Sequence, residues 1–193
     1  PEAVLVGMKE LKTRFDQVFV YGGGGGKHTT EELKLLVPSL QKTPGNWCLI
    51  PRFHPNLIKN KKIAEEIGDK RTFEEVWNEI LFPLGNRVVR LDVGIGDDMA
   101  VVCDAYFSSL GSSMNTAIFC GKLTIAVLPK ATMEEMYEAK LDVIPAVYLG
   151  GAQTLTEVQD LRPLLVSPPE ESRKKFKPLD ANLAVREIEK LLG

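Results

Sequence analysis

The sequence has few of the residues that bind transition metals. It contains two histidines and three cysteines, Cys48, Cys103 and Cys120, among its 193 residues. The cysteines form no CxxC pair, and neither histidine pairs with a cysteine at ligand spacing, so we expect no metal site. Because each cysteine lies in an apolar context, we expect three buried free thiols, which are typical of a reducing, cytoplasmic compartment.

The chain also lacks a strong net charge and a long apolar run. Its formal charge is −2, and its densest basic runs, at 59–62 and 173–175, lie among acids and prolines. A nucleic-acid partner is therefore not expected. No apolar run approaches the roughly 20 residues that a membrane-spanning helix needs. The first residues carry neither an initiator methionine nor a signal-peptide pattern, so we expect a fragment of a longer protein.

Short apolar runs alternate with helical patterns along the chain, and no internal repeat is present. Strands are predicted at 17–22, 47–51, 87–92, 105–108, 123–128 and 146–149, and helices between and after them, including 98–102, 133–140 and one starting at Thr154. This alternation predicts an α/β fold, a doubly wound parallel sheet with helices on both faces. We expect one domain over 1–193, with a linker at 167–178 and a last amphipathic helix at 179–193.

Capping patterns place several helix ends. Thr29 with Glu32, and Thr72 with Glu75, have capping-box spacing and predict two helix starts. Pro38 is expected to end or bend the first of these helices. Gly121 stands where a helix C-cap is expected. Core positions are predicted for Trp47, Trp77 and Met99, which lie at core spacing.

A glycine-rich loop, VYGGGGGK, follows the first predicted strand. A phosphate loop of the NTPase kind, GxxxxGK[ST], would need glycine at Tyr21 and a hydroxyl at His28, so this pattern is not met. A dinucleotide fingerprint would need an acid after the second strand, which instead ends in Pro51-Arg52. A turn that serves only strand–helix packing stays open. For Lys27, neutralising a phosphate and a solvated first-turn position are both open.

A second small-residue loop has the sequence Ser109-Leu110-Gly111-Ser112-Ser113 between a predicted strand and helix. Small residues at a helix N-terminus let backbone N–H groups and the helix dipole face an anion. In a doubly wound sheet, ligands bind at the carboxyl ends of the strands. Both glycine loops belong at that edge.

The order of these motifs resembles the nucleotide-sugar-binding half of GT-B glycosyltransferases. The likeness covers residues 17–165 and extends to lipid II N-acetylglucosaminyltransferases, lipid A disaccharide synthases and UDP-N-acetylglucosamine 2-epimerases. It is most specific in CDAYFSSLGSSMNTAIFCGKLTIAVLP, at 103–129, and PRFHPN, at 51–56, resembles a segment of the epimerases. The resemblance implies a Rossmann-like half of a GT-B fold that binds a nucleoside diphosphate sugar as substrate, with no separate cofactor. It implies a substrate site formed by Gly23, Gly24, Gly25, Gly26, Lys27, Arg52, His54, Ile95, Gly111, Ser112, Ser113, Met114, Asn115 and Thr116.

One position departs from the family. The helix after the second loop usually offers a glutamate to the donor ribose, and Thr116 stands at that position, beside Asn115. Either side chain could bond a ribose hydroxyl, although a bidentate carboxylate contact is lost. For His54, a plain HPN turn is an alternative to a role near the donor. Asp97 and Asp98 are interpreted as helix N-caps.

The resemblance also implies a missing half. The acceptor site and the catalytic base would lie on an N-terminal acceptor-binding domain or on a partner subunit, so the catalytic residues are unknown. Any peripheral membrane contact would be made through that half. Two alternatives stay open, a UDP-sugar 2-epimerase-like enzyme and a non-catalytic Rossmann-like subunit or interaction domain.

Overall fold

A computed structural model describes residues 2–23, 26–53, 71–91, 94, 96–109, 111–138, 145–148 and 150–166. Within these residues the chain forms, in order, α1 (Glu2–Arg14), β1 (Gln17–Gly23), α2 (Gly26–Lys42), β2 (Trp47–Phe53), α3 (Phe73–Leu81), a 3₁₀ helix (Phe82–Arg87), α4 (Gly96–Val102), β3 (Ala105–Ser108), α5 (Ser112–Phe119), β4 (Leu123–Val127), α6 (Lys130–Glu138), α7 (Pro145–Tyr148) and β5 (Gln153–Leu155). The predicted linker at 167–178 and helix at 179–193 lie outside the described residues, as does the region 54–70.

The strands form one parallel sheet in the order β2-β1-β3-β4-β5. From β1 the chain first adds β2 on one side and then crosses to the other side for β3. The strand order therefore reverses between β1 and β3. In an open α/β sheet this reversal is a topological switch point, at which a crevice forms outside the carboxyl ends of the two strands.

Helices cover both faces of the sheet. Because side chains alternate along a strand, Val18 and Val20 of β1 point to one face and Phe19 and Tyr21 to the other. The first pair belongs to a core with apolar residues of α1, α4 and α5. The second pair belongs to a separate core with those of α2 and α3. The expected α/β, Rossmann-like doubly wound sheet is confirmed.

Helix α1 was not expected from the sequence. Val4, Met8 and Leu11 are buried at helical spacing, and the helix contacts α4 and β1. Asp104 holds it to the sheet: its carboxylate accepts a 2.8 Å bond from Lys12 Nζ and another, also 2.8 Å, from the backbone N–H of Val18.

Helix α2 begins earlier and ends later than the capping pattern predicted. It starts at Gly26, not near Thr29, and it continues past Pro38 to Lys42. The prediction of a capping box at Thr29 and Glu32 is wrong because the helix has already begun three residues before Thr29, and both side chains are fully buried. The second capping box is confirmed, since Thr72 and Glu75 bond each other reciprocally at the start of α3.

The predicted strand at 87–92 is wrong. Helix α3 continues into the 3₁₀ helix, where Gly85 adopts φ +54°. The chain then runs beside β2 with a single bridge between Leu49 and Val88. The Val89 N–H also donates to the Leu49 carbonyl at 2.9 Å. This segment occupies the place of a sixth strand without forming a ladder.

The last predicted strand is a helix, and the helix predicted after it is a strand. The expected strand at 146–149 is instead α7, because Pro145 is compatible with a first helical position and Gly150, at φ +75°, ends the turn. The helix expected from Thr154 is instead β5, which pairs with β4 from Gln153 to Leu155. The apolar residues gave no clear period in either short segment.

Candidate functional site at the switch point

Strands β1 and β3 separate at their carboxyl ends. Their pairing ends at Tyr21 and Phe107, although β1 stays paired with β2 as far as Gly23. Where the ladder has ended, the Ser108 hydroxyl donates a 2.8 Å hydrogen bond to the Gly22 carbonyl. A side chain thus replaces a backbone bond at the point where the strand order reverses.

The second loop leads from β3 into α5 with an N-terminus that has no side-chain cap. Gly111 is the N-cap residue, at φ −72° and ψ 138°, and as a glycine it has no side chain to cap the first turn. The Met114 N–H is bonded to the Gly111 carbonyl at 3.0 Å. The N–H groups of Ser112 and Ser113 precede this first bond of the helix, and helix N–H groups at these positions can bind an anion.

The predicted side chains of α5 do not all face the crevice. Met114 is 2% exposed and belongs to the core, so only its backbone can contribute to a site. Met114 therefore stays a predicted site residue through its backbone alone. Asn115 and Ser112 are exposed, and Ser113 and Thr116 are half-buried. Ser113 and Thr116 face α4, as the next contacts show.

Helix α4 meets α5 through two contacts at this edge. The Thr116 hydroxyl lies 3.2 Å from Asp97 Oδ1 and donates to it. An ideal Cβ on Gly96 would be 2.8 Å from Ser113 Oγ. A carboxylate therefore lies beside Thr116, the position at which the sequence resemblance implied a glutamate. The sequence interpretation of Asp97 as an N-cap missed this contact, because the two residues lie on different helices.

Tyr106 of β3 lies under the same edge. Burial raises the pKa of its hydroxyl to about 12, although the adjoining Ser113 hydroxyl opposes the rise. Asp97 and Arg52 are close enough to act on this pKa in opposite directions. The Tyr106 hydroxyl thus lies among residues of the predicted site, but nothing in the sequence pattern had singled it out.

The first glycine loop is described in part. An ideal Cβ on Gly23 would be 2.8 Å from Thr29 Oγ1 and 3.3 Å from the Phe53 ring. Gly23 is therefore required by packing, which agrees with the alternative that this loop serves strand–helix packing. Gly26 and Lys27 form the first turn of α2. Gly24, Gly25 and the Lys27 side chain lie outside the described residues.

Arg52 supports a loop at the end of β2. Its guanidinium donates to the carbonyl oxygens of Leu91 and Gly94, each at 2.6 Å. This contact holds the backbone at Leu91 and at Gly94, before α4. Arg52 acts here on backbone carbonyls. Ile95 and His54 lie outside the described residues.

A buried carboxylate joins the two loops. Glu32 of α2 is fully buried and accepts hydrogen bonds from the Tyr21 hydroxyl, at 2.7 Å, and from the Ser109 hydroxyl, at 2.6 Å. Burial raises the pKa of the Glu32 carboxyl, and the hydrogen bonds from Ser109 and Tyr21 oppose the rise. Burial and the neighbouring Glu32 raise the pKa of the Tyr21 hydroxyl well above its usual value.

The first turns of α2 and α6 also meet. His28 Nδ1 lies 3.4 Å from the hydroxyl of Thr132, which is buried. Since α6 follows β4, a third strand end contributes to this edge. His28 was not among the predicted site residues.

The sequence was also expected to form no metal site and to bury all three thiols. Among the described residues, no three His, Cys, Asp or Glu side chains are grouped so that they could hold a metal ion. Cys48 and Cys103 are free and buried, as expected, whereas Cys120 is free but exposed, so its predicted burial is wrong. Over the described residues, no helix combines the length and apolarity needed to cross a membrane.

Comparison with known proteins finds distant structural similarity. No protein-family model and no curated protein sequence matches the chain. A solved structure described as the glycotransferase of kitacinnamycin aligns with 90% of this chain at 14% identity, with a TM-score of 0.38. A UDP-glucose dehydrogenase from the hyperthermophilic archaeon Pyrobaculum islandicum aligns with 72% at 11% identity, with a TM-score of 0.33. The chain spans 38% and 34% of the lengths of these two proteins.

Proposed function

We propose that this chain is the donor-binding domain of a glycosyltransferase and holds a nucleoside diphosphate sugar where β1 and β3 diverge. The observation that carries the proposal is the N-terminus of α5. It begins at Gly111 without a side-chain cap, directly beside the separated strand ends. A helix start of this kind presents N–H donors and the positive end of the helix dipole to an anion.

The diphosphate would lie between the two loops. The N–H groups and hydroxyls of Ser112 and Ser113 would bind it from the β3 side. The first turn of α2, with Gly26 and Lys27, would approach it from the β1 side. Two helix N-termini with donors held in place by the fold need no reorganisation when charge develops on the ligand.

The nucleoside would occupy the α4 side of the crevice. The backbone at Leu91 and Gly94, which Arg52 holds through the two carbonyl oxygens, would lie against the base. The Asp97 carboxylate, bonded to Thr116, would accept hydrogen bonds from the ribose hydroxyls. Asp97 would in this way supply the carboxylate that position 116 lacks.

The reaction assigned to such a domain is glycosyl transfer. The acceptor's nucleophilic oxygen forms a bond to the anomeric carbon as the bond between that carbon and the diphosphate oxygen breaks, and the electron pair of the broken bond stays on the diphosphate. The helix N–H groups would stabilise that growing negative charge. The acceptor and the base that takes its proton would be held by a second domain or a partner subunit, so we expect this chain alone to bind the donor without turnover.

A second candidate, a subunit or interaction domain that binds no nucleotide, is favoured by one observation. Gly22 and Gly23 are both required by packing, since a Cβ on either would meet Tyr106 or Thr29. Part of the glycine run is therefore explained without a ligand. The epimerase alternative rests on the segment at 51–56, and residues 54–56 of that segment lie outside the described residues.

Ligand-induced stabilisation separates these candidates. The melting temperature of the purified chain would be measured with UDP, GDP, ADP, CDP and ATP–Mg²⁺, followed by titration calorimetry. We expect one nucleoside diphosphate to stabilise the chain, and ATP–Mg²⁺ to do so no better, since the NTPase pattern is absent. No stabilisation by any of them would favour the interaction domain. A magnesium-dependent preference for ATP would contradict the donor-binding proposal.

A further inference from the structure

Glu32 is an unusual residue for its position. Its carboxylate is fully buried in the second turn of α2, between two neighbouring strands. Burying an ionisable carboxyl is unfavourable unless hydrogen bonds compensate, and an apolar side chain would pack at lower cost. Both carboxylate oxygens are used: Oε2 accepts from Tyr21 on β1 and Oε1 accepts from Ser109 after β3.

The Ser109 contact fixes the start of the second loop. Ser109 lies two residues before Gly111, the N-cap of α5. Its neighbour Ser108 is also tied, since its hydroxyl donates to the Gly22 carbonyl at 2.8 Å and accepts from the Gly111 N–H at 3.3 Å. Two consecutive serines thus hold the β3–α5 turn, one to the end of β1 and the other to α2.

We propose that Glu32 is a positioning residue that couples the two loops, orienting the N–H groups at the start of α5 through Ser109. The functional part of this inference rests on the proposed diphosphate site. If the Ser109 bond is lost, the turn is held on one side only, and the N–H groups of Ser112 and Ser113 lose their fixed direction toward the crevice. Glu32 itself does not contact the ligand.

The inference predicts a difference between two ligands. In the proposed site a nucleoside would contact Asp97 and should be insensitive to the α5 turn, whereas a nucleoside diphosphate would depend on that turn. Ser109→Ala and Glu32→Ala should weaken UDP binding about tenfold, the size expected for a lost hydrogen bond to a carboxylate, and uridine binding less than twofold. Glu32→Gln should be intermediate, because its amide can still bond both hydroxyls. Glu32→Gln also provides the test of Glu32 if Glu32→Ala does not fold.

Thr30→Val is the matched control. Thr30 lies on the same helix and is buried, and its hydroxyl accepts a 3.0 Å bond from Trp77 Nε1, away from the second loop. This variant should lose stability and keep the wild-type ratio of UDP to uridine affinity. A general loss of order would instead lower both affinities in all four variants.

Amide hydrogen exchange tests the coupling without any ligand. We expect Ser109→Ala and Glu32→Ala to speed exchange at 111–114 several-fold, Glu32→Gln to speed it less, and Thr30→Val to leave it unchanged. Wild-type exchange at 111–114 in Ser109→Ala and the Glu32 variants would overturn the inference. If the wild-type chain binds no nucleoside diphosphate, the donor-binding proposal fails, and the exchange rates still decide whether Glu32 positions the turn. Equal losses of UDP and uridine affinity in Ser109→Ala and the Glu32 variants would also overturn the inference that Glu32 positions the turn.

Discussion

The hydroxyl of Tyr106 occupies the space that a β-carbon on Gly22 would fill. An ideal Cβ built on Gly22 would overlap the Tyr106 oxygen and would lie 2.9 Å from its Cζ atom. Gly22 therefore lets a buried tyrosine of β3 reach across the end of β1. This contact places a polar group where β1 and β3 have stopped pairing. The Tyr106 hydroxyl lies there next to Ser113 and Gly96.

Gly22→Ala should destabilise the fold by overpacking, by about 1–3 kcal/mol in the free energy of unfolding. Tyr106→Phe in the same chain should recover part of this loss, because it removes the oxygen nearest to the new methyl group. The ring carbon stays close, so recovery should be incomplete. Urea unfolding of both single variants and the double variant would show a coupling energy. Strictly additive effects would mean that Tyr106 does not limit residue 22.

Gly111→Ala should disturb Ser108. Its φ of −72° suits any residue, but an ideal Cβ would lie 2.9 Å from Ser108 Oγ. We expect a loss of about 1 kcal/mol in stability from the displaced hydroxyl bonds, together with weaker UDP binding. In a Ser108→Ala background the added methyl group has room, so Gly111→Ala should cost less there. An equal stability loss in both backgrounds would show that Ser108 does not contact the new side chain.

Asp97→Asn should weaken nucleoside and nucleoside diphosphate binding by the same factor. The proposed contact is to the ribose, which both ligands contain, and a hydrogen bond to a charged group contributes about 1.5–3 kcal/mol. Ser113→Ala is the matched comparison, since it should affect UDP more than uridine. Calorimetry with both ligands on both variants makes the test. A loss confined to UDP in Asp97→Asn would mean that Asp97 does not bond the ribose, which both ligands share.

The sheet was largely predictable because its signals are local. Strands β1 to β4 are short apolar runs bounded by glycine, proline or polar residues, and such runs are typical of buried parallel strands. Helix α1 could also have been found, since Val4, Met8 and Leu11 follow helical spacing. The edge segments were misassigned because α7 and β5 are only four and three residues long. Elements of that length carry no readable period.

The contacts of the site were less predictable because they join distant parts of the chain. Thr29 and Glu32 have the spacing of a capping box, yet Glu32 is bound by Ser109, 77 residues away in sequence. The bond between Thr116 and Asp97 likewise joins two helices. Loops with glycine and serine could be placed at the sheet edge from their order alone. Which side chains turn inward depends on tertiary packing.

The three cysteines should differ in reactivity. Cys48 and Cys103 are buried, and burial raises their thiol pKa values to about 11 and about 12. Cys120 is exposed after α5. Because the thiolate is the reactive form, one thiol should react with an aromatic disulfide reagent in the folded chain and three after unfolding. Cys120→Ser should abolish the fast reaction. Rapid modification of two or more thiols in the native chain would contradict the burial of Cys48 and Cys103.

The stability of the fold should depend on pH through Glu32. Burial raises the pKa of this carboxyl above its usual 4.5. Below pH 4.5 the carboxyl is protonated in both the folded and the unfolded chain, and it adds no pH dependence. As the pH rises above that value, the unfolded chain loses the proton first, so the unfolded state is favoured. The stabilising contribution of Glu32 should therefore fall by about 1.4 kcal/mol per pH unit until the folded carboxyl also ionises.

Glu32→Gln isolates this effect, because the amide does not titrate and can keep both hydrogen bonds. Urea unfolding of the wild type and the variant from pH 4 to pH 8 would give the difference between their free energies of unfolding. We expect the wild type to lose stability relative to the variant as the pH rises above 4.5, and the difference to level off once the folded carboxyl has ionised. A difference that grows in favour of the wild type over this range would mean that the bonds from Ser109 and Tyr21 outweigh burial and hold the pKa of Glu32 below its usual value.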